Sequence, residues 1–145
     1  MSKVKQSVSC FKEGFNCAQA VFSAFAVEMG MDRDTALKVA QGFGGGMGGQ
    51  MGEVCGAVTG AFMVIGLKYG RTRVDDAQAK LKTYALVQEF ARRFKERNGT
   101  ILCRELLGCD LSTPEGQRTA IDKKVFSAVC PRFVQDAAEI LEEIL

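Results

Sequence analysis

The sequence predicts an all-α protein: a helical bundle of about five to seven helices, with a glycine-rich loop before a central apolar helix. Three observations predict it. No segment alternates apolar and polar residues long enough to make a strand. Apolar residues recur at spacings of three and four almost throughout. Sixteen glycines against two prolines punctuate the ends of those runs. With 145 residues, and no linker or repeat, the chain reads as one domain, residues 1–145, long enough to bury a core.

A first helix covers roughly Lys3 to Lys12 and ends at Gly14. The second opens on Asn16-Cys17-Ala18-Gln19, which has the form of a capping box, and Gly30 closes it. A third runs from Asp32 to about Gln41, and the loop from Gly42 to Gly52 follows. The fourth, about Glu53 to Tyr69, is apolar nearly all round and is therefore central. The fifth is capped by Asp75 with Gln78; Ala77, Leu81, Tyr84, Gln88, Ala91 and Phe94 recur along it, and Asn98-Gly99 stops it. A short helix from Thr100 to Leu107 precedes a turn-rich segment, Gly108 to Gly116. Pro131 splits the last helical region into Lys123–Ala128 and Pro131–Leu145.

Composition excludes several functions. A net charge of +2 leaves no electrostatic footprint for nucleic acid or an acidic membrane, and neither is expected as a partner. The absence of histidine removes His-dependent triads, His-ligated zinc and His-ligated haem. No apolar h-region follows Met1-Ser2-Lys3, and the longest uncharged stretch, Val54 to Leu67, falls short of the ~20 residues that span a bilayer. A cytoplasmic location is expected, where thiols stay reduced. Six cysteines are then the place to look for chemistry.

Four of them share a position. Cys17 follows the Asn16 cap, Cys55 sits in the first turn of the central helix, Cys103 lies three residues after Thr100, and Cys130 precedes Pro131. Each falls at or within one turn of a predicted helix N-terminus. Unpaired N–H groups and the helix dipole favour thiolate there, lowering a thiol pKa of ~8.5 to as little as ~3.5–7.5. Thiolate is both nucleophile and metal ligand, so these four are candidate ligands, and Cys55 is the candidate attacking thiolate. The competing reading is that buried cysteines act as small hydrophobes. No CxxC occurs, so convergence must come from the fold. Cys10 reads as packing, and Cys109 as a resolving thiol near Cys103.

The glycine-rich loop contains Gly44-x-Gly46-x-x-Gly49, but it follows a helix pattern and lacks the strand that a dinucleotide site needs. Its glycines permit positive φ and close backbone approach. Its functional reading is a nest in which Gly45, Gly46, Gly48 and Gly49 present N–H groups to an anionic ligand beside Cys55. Gly56 and Gly60 let a neighbouring helix approach the central one.

The segments Asn16-Cys17-Ala18-Gln19-Ala20-Val21, Cys55-Gly56-Ala57-Val58-Thr59-Gly60, Cys103-Arg104-Glu105-Leu106-Leu107-Gly108 and Cys130-Pro131 together resemble the redox-active C_GCAxxG_C_C family. The match keeps the order and covers nearly the whole chain, although Cys-Gly-Ala stands where the label writes Gly-Cys-Ala. The resemblance implies a small helical protein with Cys17, Cys55, Cys103 and Cys130 as signature cysteines. It also implies redox activity or a prosthetic group such as an iron–sulfur cluster. The leading expectation is a four-cysteine site holding iron–sulfur or another thiolate-bound metal and passing electrons to a partner. The alternatives are a metal-free thiol/disulfide oxidoreductase, and a non-enzymatic interaction bundle that forms a homodimer through the Gln78 helix or the last helix.

Overall fold

Each long helix begins where a side chain can take up its orphan amides. The computed structural model describes residues 2–145. Ser2 accepts from the Lys5 N–H and starts α1 (Lys3–Glu13), which Gly14 stops at φ 118°. Asn16 and Gln19 form the expected capping box of α2 (Cys17–Glu28), with reciprocal bonds of 2.9 and 3.0 Å. Asp32 caps α3 (Arg33–Ala40). A 3-10 turn, Gln41–Phe43, enters the glycine-rich loop.

α4 (Gly56–Tyr69) starts three residues later than its pattern suggests. Residues 53–55 are held extended instead: Val54 and Leu102 form an antiparallel β-bridge. Cys55 N–H donates to Ile101 O and Cys103 N–H to Glu53 O, both at 2.8 Å. α5 (Ala77–Asn98) is capped by Asp76, not Asp75, because the Asp75 carboxylate accepts two bonds from Arg73. α6 (Cys103–Leu107), α7 (Pro114–Lys123), α8 (Val125–Ala128) and α9 (Cys130–Ile144) complete the chain.

The nine α-helices among the described residues exceed the expected five to seven. The surplus lies in the short pieces after Gly99. The segment read as turns contains the start of α7, where Thr113 accepts from Gly116 N–H and Pro114 occupies the first turn.

α4 packs against α2, α5 and α9. The all-round apolar pattern of α4 is answered by burial: Gly56 to Ala61, Val64 and Ile65 are all buried. Gly60 brings α2 close, since a Cβ there would stand 2.8 Å from Ala18 O. Phe90 stacks on Phe94 and meets Phe62 edge-on, joining α5 to α4. The α5 stripe from Ala77 to Gln88 faces outward, leaving Leu81 67% and Tyr84 56% exposed. Leu81 and Phe94 are thirteen residues apart, about 140° round a helix, so the recurring set mixes two faces and the fold buries the one that carries Phe94, along with Phe90. Among the described residues no helix is long and apolar enough to cross a membrane.

Candidate functional site

The four signature cysteines line one cavity. It measures about 160 Å³, and its other walls are Phe11, Asn16, Gly45, Met51, Leu106, Leu107, Phe126 and Phe133. That volume is on the scale of a cavity that takes a benzene-sized guest. No charged side chain lines it, so any charge inside is balanced by backbone dipoles rather than by a counter-ion.

Different devices deliver each sulfur. Cys17 is the first residue of α2, set by the Asn16 cap. Cys55 is the N-cap residue of α4, and the β-bridge fixes it opposite the chain that carries Cys103. Cys103 is the first residue of α6, a helix too short to offer much dipole. Cys130 is the first residue of α9, one place later than its expected cap position. Gly56 lets Cys17 and Cys55 come together: a Cβ on Gly56 would overlap Cys17 Sγ and lie 3.1 Å from Gly44 Cα. Asn16 ties the loop to the same corner. Its Nδ2 donates to Gln41 O at 3.0 Å, and it fills the space that a side chain on Gly44 would take.

Cys17 and Cys55 shift each other's acidity in opposite directions. The Cys55 thiol donates to Cys17 and, aided by the N–H groups of Gly45, Ala18 and Cys17 itself against the opposing effect of burial, lowers the Cys17 pKa to about 6. Holding that proton for its neighbour, and buried beside the resulting charge, Cys55 is pushed well above the ordinary thiol range. The neighbouring N–H groups thus favour charge on Cys17 over Cys55, the expected attacking thiolate. The reason is local: Cys17 collects three backbone N–H groups, whereas Cys55 gains only that of Ala57. Burial, with the neighbouring thiol charges, pushes Cys103 and Cys130 up to about 12, so both stay protonated. Cys17 and Cys130 are half-buried; Cys55 is 4% and Cys103 6% exposed.

The loop contributes less as a nest than expected. Gly45 lines the cavity and points its N–H at Cys17. Gly46 is packed: a Cβ there would stand 2.5 Å from Met51 Cα and 2.8 Å from Cys103 Cβ. Gly48 and Gly49 have no amide to offer, because theirs donate to Gly42 O and Gly44 O within the loop. Five consecutive residues, Gly45 to Gly49, have φ between 64 and 77°. Met47 adopts that conformation without being glycine, at a cost of about 1–2 kcal/mol.

Sequence reasoning passed over Met51. It sits at φ 61°, lines the cavity, and its sulfur accepts a bond from the Cys103 thiol at 3.3 Å. Cys10 stands elsewhere, its sulfur 3.8 Å from Ser23 Oγ. Cys109 is buried at the same end of the molecule without lining the cavity. All six cysteines are free thiols.

The chain is thus a small helical protein that gathers four thiols round one apolar hollow. Residues 15–144 match the family described as "Putative redox-active protein (C_GCAxxG_C_C)", and the chain belongs to that family. No curated protein and no solved structure matches it.

Proposed function

We propose that the protein is a thiol redox protein in which Cys17 and Cys55 cycle between dithiol and disulfide. The observation that carries this reading is that Gly56 lets Cys17 sit beside the start of α4, where Cys55 lines the same cavity, with Cys17 half-buried and Cys55 buried; the Cys17 pKa is lowered and that of Cys55 raised. A pair so divided has an attacking and a resolving sulfur. The Cys17 thiolate attacks one sulfur of a substrate disulfide, forming a mixed disulfide and expelling the other sulfur as thiolate. That leaving thiolate takes up the Cys55 proton. Cys55 then attacks Cys17 sulfur, closing the Cys17–Cys55 disulfide and releasing the second substrate thiolate. The substrate gains two electrons and the protein loses two.

Mass spectrometry of alkylated protein tests this. Oxidation by a disulfide should remove two hydrogens and protect Cys17 and Cys55 together, while Cys103 and Cys130 stay alkylatable after unfolding. A linkage between any other two cysteines, or none, defeats it.

A second reading is favoured by the convergence of all four thiols on one cavity. There Cys17, Cys55, Cys103 and Cys130 would hold an iron–sulfur or other thiolate-bound centre, which supplies one-electron transfer. The donor set suits such a centre, being sulfur alone. The placement does not, because among the described residues no three His, Cys, Asp or Glu side chains are grouped to hold a metal ion. Iron and acid-labile sulfide in anaerobically purified protein would establish this reading over the first.

A further inference from the structure

The cavity of the four cysteines adjoins a groove on the surface, and the two share Phe11 and Phe126 as walls. The groove is completed by Lys12, Gly14, Phe15, Ser127 and Pro131. Phe126 is 42% exposed, so the pair of rings marks the way from solvent to the sulfurs. Further in, Leu106, Leu107 and Phe133 continue the apolar lining.

The polar groups of both spaces are already engaged. Asn16 Oδ1 accepts from Gln19 N–H, and its Nδ2 donates to Gln41 O. In the groove, Ser127 Oγ donates to Lys124 O and Gly14 N–H to Phe11 O. Among the described residues that line the two spaces Lys12 alone is charged, and it lines the groove, not the cavity. A polar group carried inward would lose its water and meet no partner, and a charged one would be penalised far more. An apolar group suffers neither loss. The inner volume of about 160 Å³ suits a body on the scale of a benzene ring, and the groove has room for what lies beyond.

We propose that the redox substrate is an uncharged disulfide on an apolar body, its sulfurs reaching Cys17 in the cavity and its remainder lying between Phe11 and Phe126 and along the groove. The inference rests on the redox reading of Cys17 and Cys55 and names its substrate class. One turnover breaks the substrate S–S bond and forms the Cys17–Cys55 bond. The Cys17 thiolate and the Cys55 thiol are consumed, and the substrate leaves, reduced by two electrons, as one thiol and one thiolate. A disulfide bearing ammonium or carboxylate groups is turned away by the same walls.

The test follows Cys17–Cys55 closure in the reduced full-length protein by acid quench, alkylation and mass spectrometry. Three symmetrical disulfides of similar length are compared: dipropyl disulfide, cystamine with its ammonium groups, and dithiodiglycolate with its carboxylates. Each rate is divided by that of a free small thiol with the same reagent, which removes intrinsic reactivity. The corrected rate with dipropyl disulfide should exceed the other two by at least about tenfold, the scale on which an apolar pocket registers a single methylene. Toluene, an unreactive guest, should slow closure. Phe126→Glu should cut the preference over cystamine by about fivefold, the reach of one exposed charge. Leu81→Glu, the same change on the outer face of α5, should keep the parent's preference. Equal corrected rates, indifference to toluene, an unchanged preference in Phe126→Glu or a changed one in Leu81→Glu each overturns the proposal and leaves the redox reading standing. A chain carrying both Cys17→Ala and Cys55→Ala separates pocket from chemistry. It should still bind dipropyl disulfide in saturation-transfer NMR, with toluene displacing it. No binding there overturns the proposal, whereas binding there without closure in the parent refutes the redox reading alone.

Discussion

Replacing Gly56 by alanine should uncouple the two central sulfurs. The new methyl would overlap Cys17 Sγ and stand 3.0 Å from Ala18 N and 3.1 Å from Gly44 Cα, against an optimum of ~3.5–4.0 Å for carbon contacts. Backbone presses on two sides, so the sulfur is the part that can yield. Alanine gains up to about 1 kcal/mol of helix propensity over glycine, and overpacking costs about 1–3 kcal/mol, so the variant should stay folded. Its chemistry should change more. Displaced from Gly45 N–H and the Cys55 thiol, Cys17 should move from about 6 back toward the ordinary thiol value of 9.0. At pH 7 the thiolate fraction would then fall about ninetyfold, while intrinsic nucleophilicity rises about twentyfold with a Brønsted slope of ~0.4–0.5. The net loss in rate with a small neutral disulfide is about fourfold at pH 7 and about fortyfold at pH 5. The assay is the pH profile of thiol release by stopped flow. A folded Gly56→Ala protein whose midpoint stays near 6 would refute the packing of Cys17 on Gly56 and the acidity argument with it.

Iodoacetamide at pH 7 should label Cys17 well before Cys103 and Cys130, which are held near 12; peptide mapping that finds Cys103 labelled first contradicts the assignment. Gly46→Ala should destabilise by at least about 2 kcal/mol in urea, combining a φ of 65° with the contact on Met51 Cα. Phe90→Ala should cost about 3–5 kcal/mol, since the ring is fully buried between Phe62 and Phe94; a smaller loss means that the α4–α5 seam can collapse. Arg97→Ala should cost no more than about 1 kcal/mol and less in high salt, because its bonds to Asp136, Glu139 and Glu143 on α9 lie near the surface.

What the sequence discloses here is mostly local. The Asn16–Gln19 box and the Asp32 cap are visible because an N-cap bond spans three residues. Four thiols at helix starts are visible for the same reason. The choice of Asp76 over Asp75 is not, because a neighbouring arginine decides it. The outward face of α5 is hidden because two apolar stripes share that helix. The Val54–Leu102 bridge involves one residue pair and leaves no periodicity to read. How Cys17 and Cys55 shift each other's acidity, and that Met51 meets Cys103, depend on contacts between residues far apart in sequence.

That dispersion bears on biosynthesis. The sulfurs at 17, 55, 103 and 130 are supplied by four stretches of chain, and Cys130 is the last of them to leave the ribosome. Until α9 docks on α1, the growing polypeptide carries exposed nucleophilic sulfur with no finished hollow to shelter it. The hollow is thus complete only once α9 has docked, and a nascent chain stalled before Cys130 should be the form most open to adventitious oxidation.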